Sequence, residues 1–304
     1  MTAPNFFLVG ASKSGTTSLY HYLQQHPAVF MSPVKEPFFF AIEDNIQGLD
    51  TFSLKAFSSI KNQAIVDAAT YKKLFKQVQS EKIIGEASTN YLSIPYVAKK
   101  IWQWNPSAKI LAILRNPYDA LYSNFLMGQR QGRYSGKDFI TVLKTEKIQS
   151  SNMWALPNLI RKRFYDLQIK QYWTYFPKHQ FKIVLYEDLA RPHLLMQDIF
   201  RFLEVDTQFN PDVSSKYNVG QLSVKKPFFY QLITKVPSVY RNQLSNVLPA
   251  VIFDKYMKFR MGISHKKQPV SKCPEEAKLY LTPIFQPHIL RLQDMIQRDI
   301  STWL

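Results

Sequence analysis

The stretch from Asn5 to Pro27, NFFLVGASKSGTTSLYHYLQQHP, sets the architecture of the chain. Asn5 to Val9 is a short apolar run ending in Gly10, the pattern of a buried parallel strand that enters a turn. Ala11 to Thr17 is small and polar, with Gly15 inside it. From Thr16 onward, Leu19, Tyr20 and Leu23 recur at helical spacing until Pro27 stops the helix. The segment predicts a strand, a phosphate-type loop and a helix. At such a junction the unpaired N–H groups of the helix N-terminus face an anion, with the positive end of the helix dipole behind them. Lys13 adds a point charge, and Ser14, Thr16, Thr17 and Ser18 add hydroxyl donors. The ordinary alternative is a Gly/Ser turn between a core strand and a core helix.

Further along, Ile83-Ile84-Gly85-Glu86, Lys109 to Leu114 and Phe181 to Leu185 read as buried strands. Between them, helical spacing runs over Asp67 to Val78, Tyr96 to Trp104, Tyr118 to about Met127, Leu156 to Phe176 and His193 to Leu203. Gln129 to Ser151 and Glu43 to Asp50 read as loops. Alternating strands and helices predict an α/β fold with a largely parallel sheet. After Asn210 the pattern becomes helical, over Phe228 to Tyr240, Leu244 to Phe259 and Ala277 to Leu304. No repeat or linker divides the chain, so one domain spanning 1–304 with a helical C-terminal third is expected.

The chain has 304 residues, 46% hydrophobic and 14% aromatic, enough for a packed core and too apolar for a disordered chain. No apolar run reaches the length of a membrane span. A strand beginning at Asn5 leaves no room for a secretory leader. The single cysteine, Cys273, has no internal disulfide partner, lies in a polar stretch and reads as an incidental thiol. A reducing cytoplasm is expected. The formal charge of +17 suits nucleic acid, an anionic membrane or anionic small molecules. Basic residues are spread along the chain, and no nucleic-acid-binding signature is present. Attraction of a polyanionic small molecule is the simplest use of the charge, and neither nucleic-acid nor membrane partners are expected.

The order Lys13-Ser-Gly15-Thr-Thr-Ser-Leu19 differs from a Walker loop, where lysine follows the second glycine and a hydroxyl meets magnesium. It resembles the 5′-phosphosulfate loop of sulfotransferases that use 3′-phosphoadenosine 5′-phosphosulfate (PAPS). Five more segments carry the resemblance. Arg115-Asn-Pro117-Tyr-Asp119-Ala-Leu-Tyr-Ser123 matches their 3′-phosphate motif, R-x-P-x-D-x-x-x-S. Lys35-Glu36-Pro37-Phe-Phe-Phe40 and Ile84-Gly-Glu86-Ala-Ser-Thr-Asn-Tyr91 are similar to the K-E-P-x-F-F and G-E-K-[ST]-P-x-Y stretches of bacterial and heparan-sulfate-type members. Tyr186-Glu187-Asp188-Leu189 and Arg298-Asp-Ile-Ser-Thr-Trp303 resemble their Y-E-D-L core and terminal G-R-D-L-S-x-W. Where the family has a lysine after Glu86, this chain has Ala87.

The resemblance implies a P-loop-like three-layer fold with a central, mainly parallel sheet flanked by helices. It also implies in-line transfer of a sulfuryl group from PAPS, leaving 3′-phosphoadenosine 5′-phosphate (PAP), with no metal required. Lys13 would take up charge on the leaving phosphate, with Ser14, Gly15, Thr16, Thr17 and Ser18 around the 5′-phosphate. Arg115 and Ser123 would hold the 3′-phosphate, a planar donor fork and a hydroxyl. Its ordinary alternative is a strand-capping Arg115 paired with Asp119. Lys225 or Lys226 would reach the 3′-phosphate from the loop Tyr217 to Lys226, unless both are solvated.

Glu36 falls at the position of the heparan-type general base. The run Phe38-Phe39-Phe40 would desolvate it and raise its basicity. A surface Glu36 paired with Lys35 is the alternative, with Glu86 and His21 as fallback bases. His21 otherwise packs on the first helix, and His26 caps its C-terminal end. A chain without an anchor is closer to bacterial enzymes that tailor small metabolites, so a small-molecule acceptor is expected. Its pocket would lie among the loops Glu43–Asp50 and Gln129–Met153. A polysaccharide sulfotransferase, a nucleotide kinase and a non-enzymatic polyanion-binding module are the competing readings.

Overall fold

A computed structural model of the chain describes residues 3–42, 64–130, 132–145, 159–214 and 272–304. All of them belong to one compact unit, Met1–Tyr217 with Ser271–Leu304; the second unit, Asn218–Val270, lies outside the described residues. The expected helices over Phe228 to Tyr240 and Leu244 to Phe259, Lys225 and Lys226, and the loop Glu43 to Asp50 also lie outside them.

Five strands form one parallel sheet: β1 (Phe6–Gly10), β2 (Val29–Met31), β3 (Ile83–Ala87), β4 (Lys109–Leu114) and β5 (Phe181–Leu185), in the order β2-β3-β1-β4-β5. β1 is wholly buried because both of its faces are covered. Phe7 and Val9 point into one core with Ile110, Ala112 and Leu114. Phe6 and Leu8 point into the other with Leu111, Ile113 and Val184. This alternation is the two-residue period of a strand.

Helices α1 (Thr16–Leu23) and α7 (Pro192–Leu203) cover the Phe6 face. The Phe7 face is covered by α2 (Ala68–Lys73), α3 (Pro95–Trp104), α4 (Pro117–Arg130), α5 (Phe139–Thr145), α6 (Tyr165–Trp173) and α8 (Glu275–Ile296). The result is the three-layer, P-loop-like architecture expected.

Several stretches differ from the sequence reading: the helix expected over Asp67 to Val78 spans only Ala68–Lys73, and that expected over Ala277 to Leu304 runs from Glu275 to Ile296. The loop expected over Gln129 to Ser151 contains α5, whose Phe139, Val142 and Leu143 are buried at helical spacing. The long helix expected over Leu156 to Phe176 is broken. A 3-10 turn, Arg161–Arg163, and α6 are separated by Phe164, whose ψ of 68° is not helical.

Strands β3 and β4 flank β1 on opposite sides, so the chain reverses direction across the sheet at β1. Ligands of open α/β sheets collect beyond the carboxyl ends of the strands at such a point. The loop Ala11 to Gly15 lies there, tied by Ala11 N–H to the oxygen of Ile113 at 2.7 Å.

Two motifs far apart in sequence meet beside it. Arg298 donates twice to Asp188, at 2.7 and 2.8 Å, and Trp303 Nε1 donates to Glu187 at 3.0 Å. The terminal R-D-I-S-T-W thus braces the Y-E-D-L turn. Cys273 is buried, its thiol pushed up to about 12 by burial and by Asp119, which keeps it a protonated, unreactive side chain.

Candidate active site

The β1–α1 loop is shaped for an anion. Gly15 stands at the N-cap of α1 with φ 94°, and no side chain caps the helix. No acidic residue occupies its first turn. The buried Ser14 hydroxyl has no hydrogen-bond partner. Thr16 and Ser18 are buried beside it, and Thr17 is half-buried. An uncapped helix start with an unpartnered buried hydroxyl suits an oxyanion that supplies the missing acceptors.

Lys13 takes a left-handed conformation, φ 70°, and its ammonium lies 3.9 Å from the sulfur of Met127. Its pKa is lowered from 10.5 to about 8, first by burial and then by the charges of Arg130, Arg115 and Arg163. Among the described residues, no carboxylate pairs with any of these four cations. Such a concentration of like charge calls for an anionic ligand.

Arg115 leaves the carboxyl end of β4 almost fully buried, donates to the backbone oxygen of Lys13 at 3.1 Å and lies 4.5 Å over the ring of Tyr186. It does not pair with Asp119, which instead accepts from Cys273 N–H at 3.1 Å. Asn116 starts α4 by accepting from Tyr118 N–H at 3.0 Å, and Pro117 is the first helical residue. Ser123, Met127 and Arg130 follow at i, i+4 and i+7, one stripe along α4. The stripe joins the expected 3′-phosphate residue to the neighbour of Lys13.

Glu36 enters from the loop after β2. Its N–H donates to the oxygen of Ala87 at 2.8 Å, which lays the loop along the end of β3. Glu36 and Phe38 both have positive φ, 64° and 53°. Residues in this conformation persist only where surrounding contacts impose it, commonly at functional sites.

The Glu36 carboxylate accepts from Thr89 N–H at 2.9 Å and from the Thr89 hydroxyl at 2.8 Å. It also pairs with Lys35 at 2.8 Å, and its side chain is 23% exposed. Two of the three phenylalanines expected to cover it turn into the core: Phe39 stacks on Tyr71 at 4.2 Å, and Phe40 packs on Phe7, Tyr71 and Tyr91. The ion pair expected as the alternative is present, with Thr89 as a second anchor.

Glu86 is wholly inside. Burial pushes its pKa from 4.5 up to about 8, and the charge of Glu36 adds to the rise. The hydroxyls of Tyr71 and Tyr91 lie near enough to ease the shift, but neither makes a geometrically sound hydrogen bond to its oxygens. Those oxygens are sealed from solvent, so burial dominates and keeps the carboxyl protonated near neutrality. A neutral, buried carboxyl is poorly placed to take a proton from an acceptor.

His21 is half-buried on α1 against Tyr20, its pKa lowered by burial and by Lys35. The His26 backbone N–H donates to the oxygen of Leu23, the last residue of α1, at 3.1 Å, while its ring is turned away from the helix end. It is buried against Phe200 and Phe209, accepts from Ala28 N–H at 3.0 Å and meets the oxygen of Asp206 at 3.0 Å.

Three contributors escaped the sequence reading. Thr89 lies within the Ile84 to Tyr91 segment but was given no role there, and Arg130 and Arg163 carry no motif of their own; only their neighbours in the fold mark them.

A parallel α/β sheet whose central strand feeds an uncapped, cation-lined helix start is the mark of a nucleotide-binding group-transfer protein. The sulfotransferase domain family matches residues 3–261, and the chain belongs to it. Among curated relatives, carbohydrate sulfotransferase 15 of Rattus norvegicus is 26% identical over 285 residues, 77% of this chain and 46% of the relative. Bifunctional heparan sulfate N-deacetylase/N-sulfotransferase 2 of Bos taurus is 27% identical over 314 residues, 99% of this chain and 30% of the relative. The chain spans less than half the length of either. The crystal structure of a sulfotransferase from Alicyclobacillus acidocaldarius superposes with a TM-score of 0.72 at 29% identity, covering 100% of this chain and 99% of the other.

Proposed function

We propose that the chain moves a sulfuryl group from PAPS to a hydroxyl or amine of a small-molecule acceptor, with Glu36 as general base. The observation that supports this most is the cation set Lys13, Arg115, Arg130 and Arg163 around an uncapped helix start, with no described carboxylate as counter-ion. PAPS supplies the activated sulfuryl group. Ser14, Gly15, Thr16, Thr17 and Ser18 hold its 5′-phosphate, Arg115 and Ser123 its 3′-phosphate, and Lys225 or Lys226 adds to the latter. Lys13 stabilises the charge that develops on the leaving phosphate. Thr89 fixes the Glu36 carboxylate so that it can receive the acceptor's proton.

A carbohydrate acceptor, with O- or N-sulfation, is about as well supported, because the named relatives are carbohydrate and heparan sulfate enzymes. In this reading residues 1–304 act as one catalytic domain in the cytoplasm, without nucleic acid, membrane or metal. Among the described residues, no helix is long and apolar enough to cross a membrane.

A transfer screen with sulfur-labelled PAPS over alcohols, amines and oligosaccharides tests the proposal. Label on an alcohol or amine supports a small acceptor, and label on an oligosaccharide alone moves the assignment to carbohydrate. Magnesium-dependent transfer of a phosphoryl group from ATP, with none from PAPS, contradicts both.

A further inference from the structure

Arg163 stands in the 3-10 turn before α6, 2% exposed. Its Nη1 donates to the backbone oxygen of Ser12 at 3.0 Å and to the Tyr165 hydroxyl at 3.5 Å. Its Nη2 donates to the oxygen of Ala120 at 3.3 Å and to the Ser12 hydroxyl at 3.5 Å. Its Nε has no partner. Ser12 immediately precedes Lys13 in the β1–α1 loop. Ala120 lies on α4, three residues before Ser123. One guanidinium therefore bridges the two elements assigned to the two phosphates.

We infer that Arg163 is a positioning residue that fixes the Lys13 loop against α4, setting the distance between the 5′ and 3′ ends of the nucleotide site. This inference rests on the PAPS reading of that site. Two features of the side chain fit the role. A planar fork can hold two carbonyl groups at once, whereas an ammonium is a point charge without that geometry. A buried cation without a carboxylate is also costly, and carbonyl dipoles compensate it only in part. A bound polyanion completes the compensation, so the bridge and the nucleotide reinforce each other.

The test titrates PAP and adenosine 5′-phosphate calorimetrically into wild type, Arg163→Lys and Arg163→Met, alongside pH profiles of kcat/KM. Arg163→Lys keeps the charge and loses the fork. It should bind PAP about tenfold more weakly, and the preference for PAP over adenosine 5′-phosphate should shrink. Arg163→Met also removes one of the charges facing Lys13; those remaining are Arg115 from the end of β4 and Arg130 from α4. Its alkaline limb should therefore move to higher pH, while that of Arg163→Lys stays in place.

Variants that melt earlier yet bind PAP and titrate as wild type does would overturn the inference. Failure of wild type to bind PAP would sink the nucleotide reading itself, whereas wild-type-like binding by the variants of a PAP-binding protein sinks the inference alone. If neither variant folds, hydrogen exchange on wild type decides. PAP should slow exchange of the Arg163 N–H, bonded to the oxygen of Ile160 at 2.9 Å, and unchanged exchange there contradicts the bridge.

Discussion

Arg115 donates from Nη1 to the backbone oxygen of Lys13 at 3.1 Å. The residue assigned to the 3′-phosphate thus touches the backbone, not the ammonium, of the residue assigned to the 5′ end. The bond also restrains a lysine in the left-handed region. Replacement of Lys13 by Ala should reduce turnover with any sulfuryl donor, because its charge acts where the donor bond breaks.

Glu36→Gln tests the base. The backbone bond from Glu36 N–H to Ala87 fixes the loop independently of the side chain, and an amide oxygen at this position can still accept from Thr89 N–H. The variant should therefore bind PAP as wild type does and lose turnover by at least ~100-fold. Retained turnover in a radiolabel assay would move the base to Glu86 or His21, and of these only His21 has any access to solvent.

The pH profile should report Lys13. Its pKa of about 8 in the free protein means that its positive charge is lost as pH rises through that value. kcat/KM, which follows the free enzyme, should fall above about pH 8. Arg130 is the largest of the charges depressing Lys13. Arg130→Ala should raise the Lys13 pKa and carry the limb to higher pH; an unmoved limb would mean that Arg130 has no influence on the site.

Glu86 makes stability fall with pH. Its folded pKa is raised to about 8 from 4.5, so between those values the folded protein binds more protons than the unfolded chain. The contribution is complete below pH 4.5 and is lost as pH rises through about 8. Glu86→Gln should flatten the thermal-melting profile across that window. An unchanged slope would show that Glu86 ionises normally.

Gly15→Ala should weaken the loop. An added Cβ would lie 2.5 Å from Leu189 Cδ1, a side-chain end that can move. The φ of 94° cannot be relieved so easily. A residue with Cβ in the left-handed region costs roughly 1–2 kcal/mol, so a lower melting temperature and weaker PAP binding are expected. Wild-type values for both would mean that the loop tolerates another conformation.

Four of the five strands were legible because parallel strands buried on both faces are written as continuous apolar runs, as in KILAIL and FKIVL; β2, only three residues long, was too short to be read as one. The Lys13 loop and the Arg115 segment were legible because each sits where such a run ends. Arg163 was not, since Arg161, Lys162 and Arg163 look alike in sequence. Which one turns inward is decided by the break at Phe164, a backbone event that the hydrophobic period ran straight through. The places of Phe39 and Phe40 are hidden in the sequence for a related reason: Phe38 has positive φ, a turn the residue run does not announce, and the two rings after it lie in the core beside Tyr71. His26 owes its buried place to Phe200 and Phe209, distant in sequence.

The most direct test of the account compares PAP with adenosine 5′-phosphate by calorimetric titration of wild type and Arg115→Ala. The two nucleotides differ only in the 3′-phosphate. A charge-assisted hydrogen bond contributes roughly 1.5–3 kcal/mol, and about 1.4 kcal/mol is tenfold in affinity. Wild type should therefore prefer PAP by one to two orders of magnitude. Arg115→Ala should lose most of that preference while its affinity for adenosine 5′-phosphate changes little. Equal weakening of both nucleotides in Arg115→Ala, or no preference for PAP in wild type, would contradict the assignment of this site to PAPS.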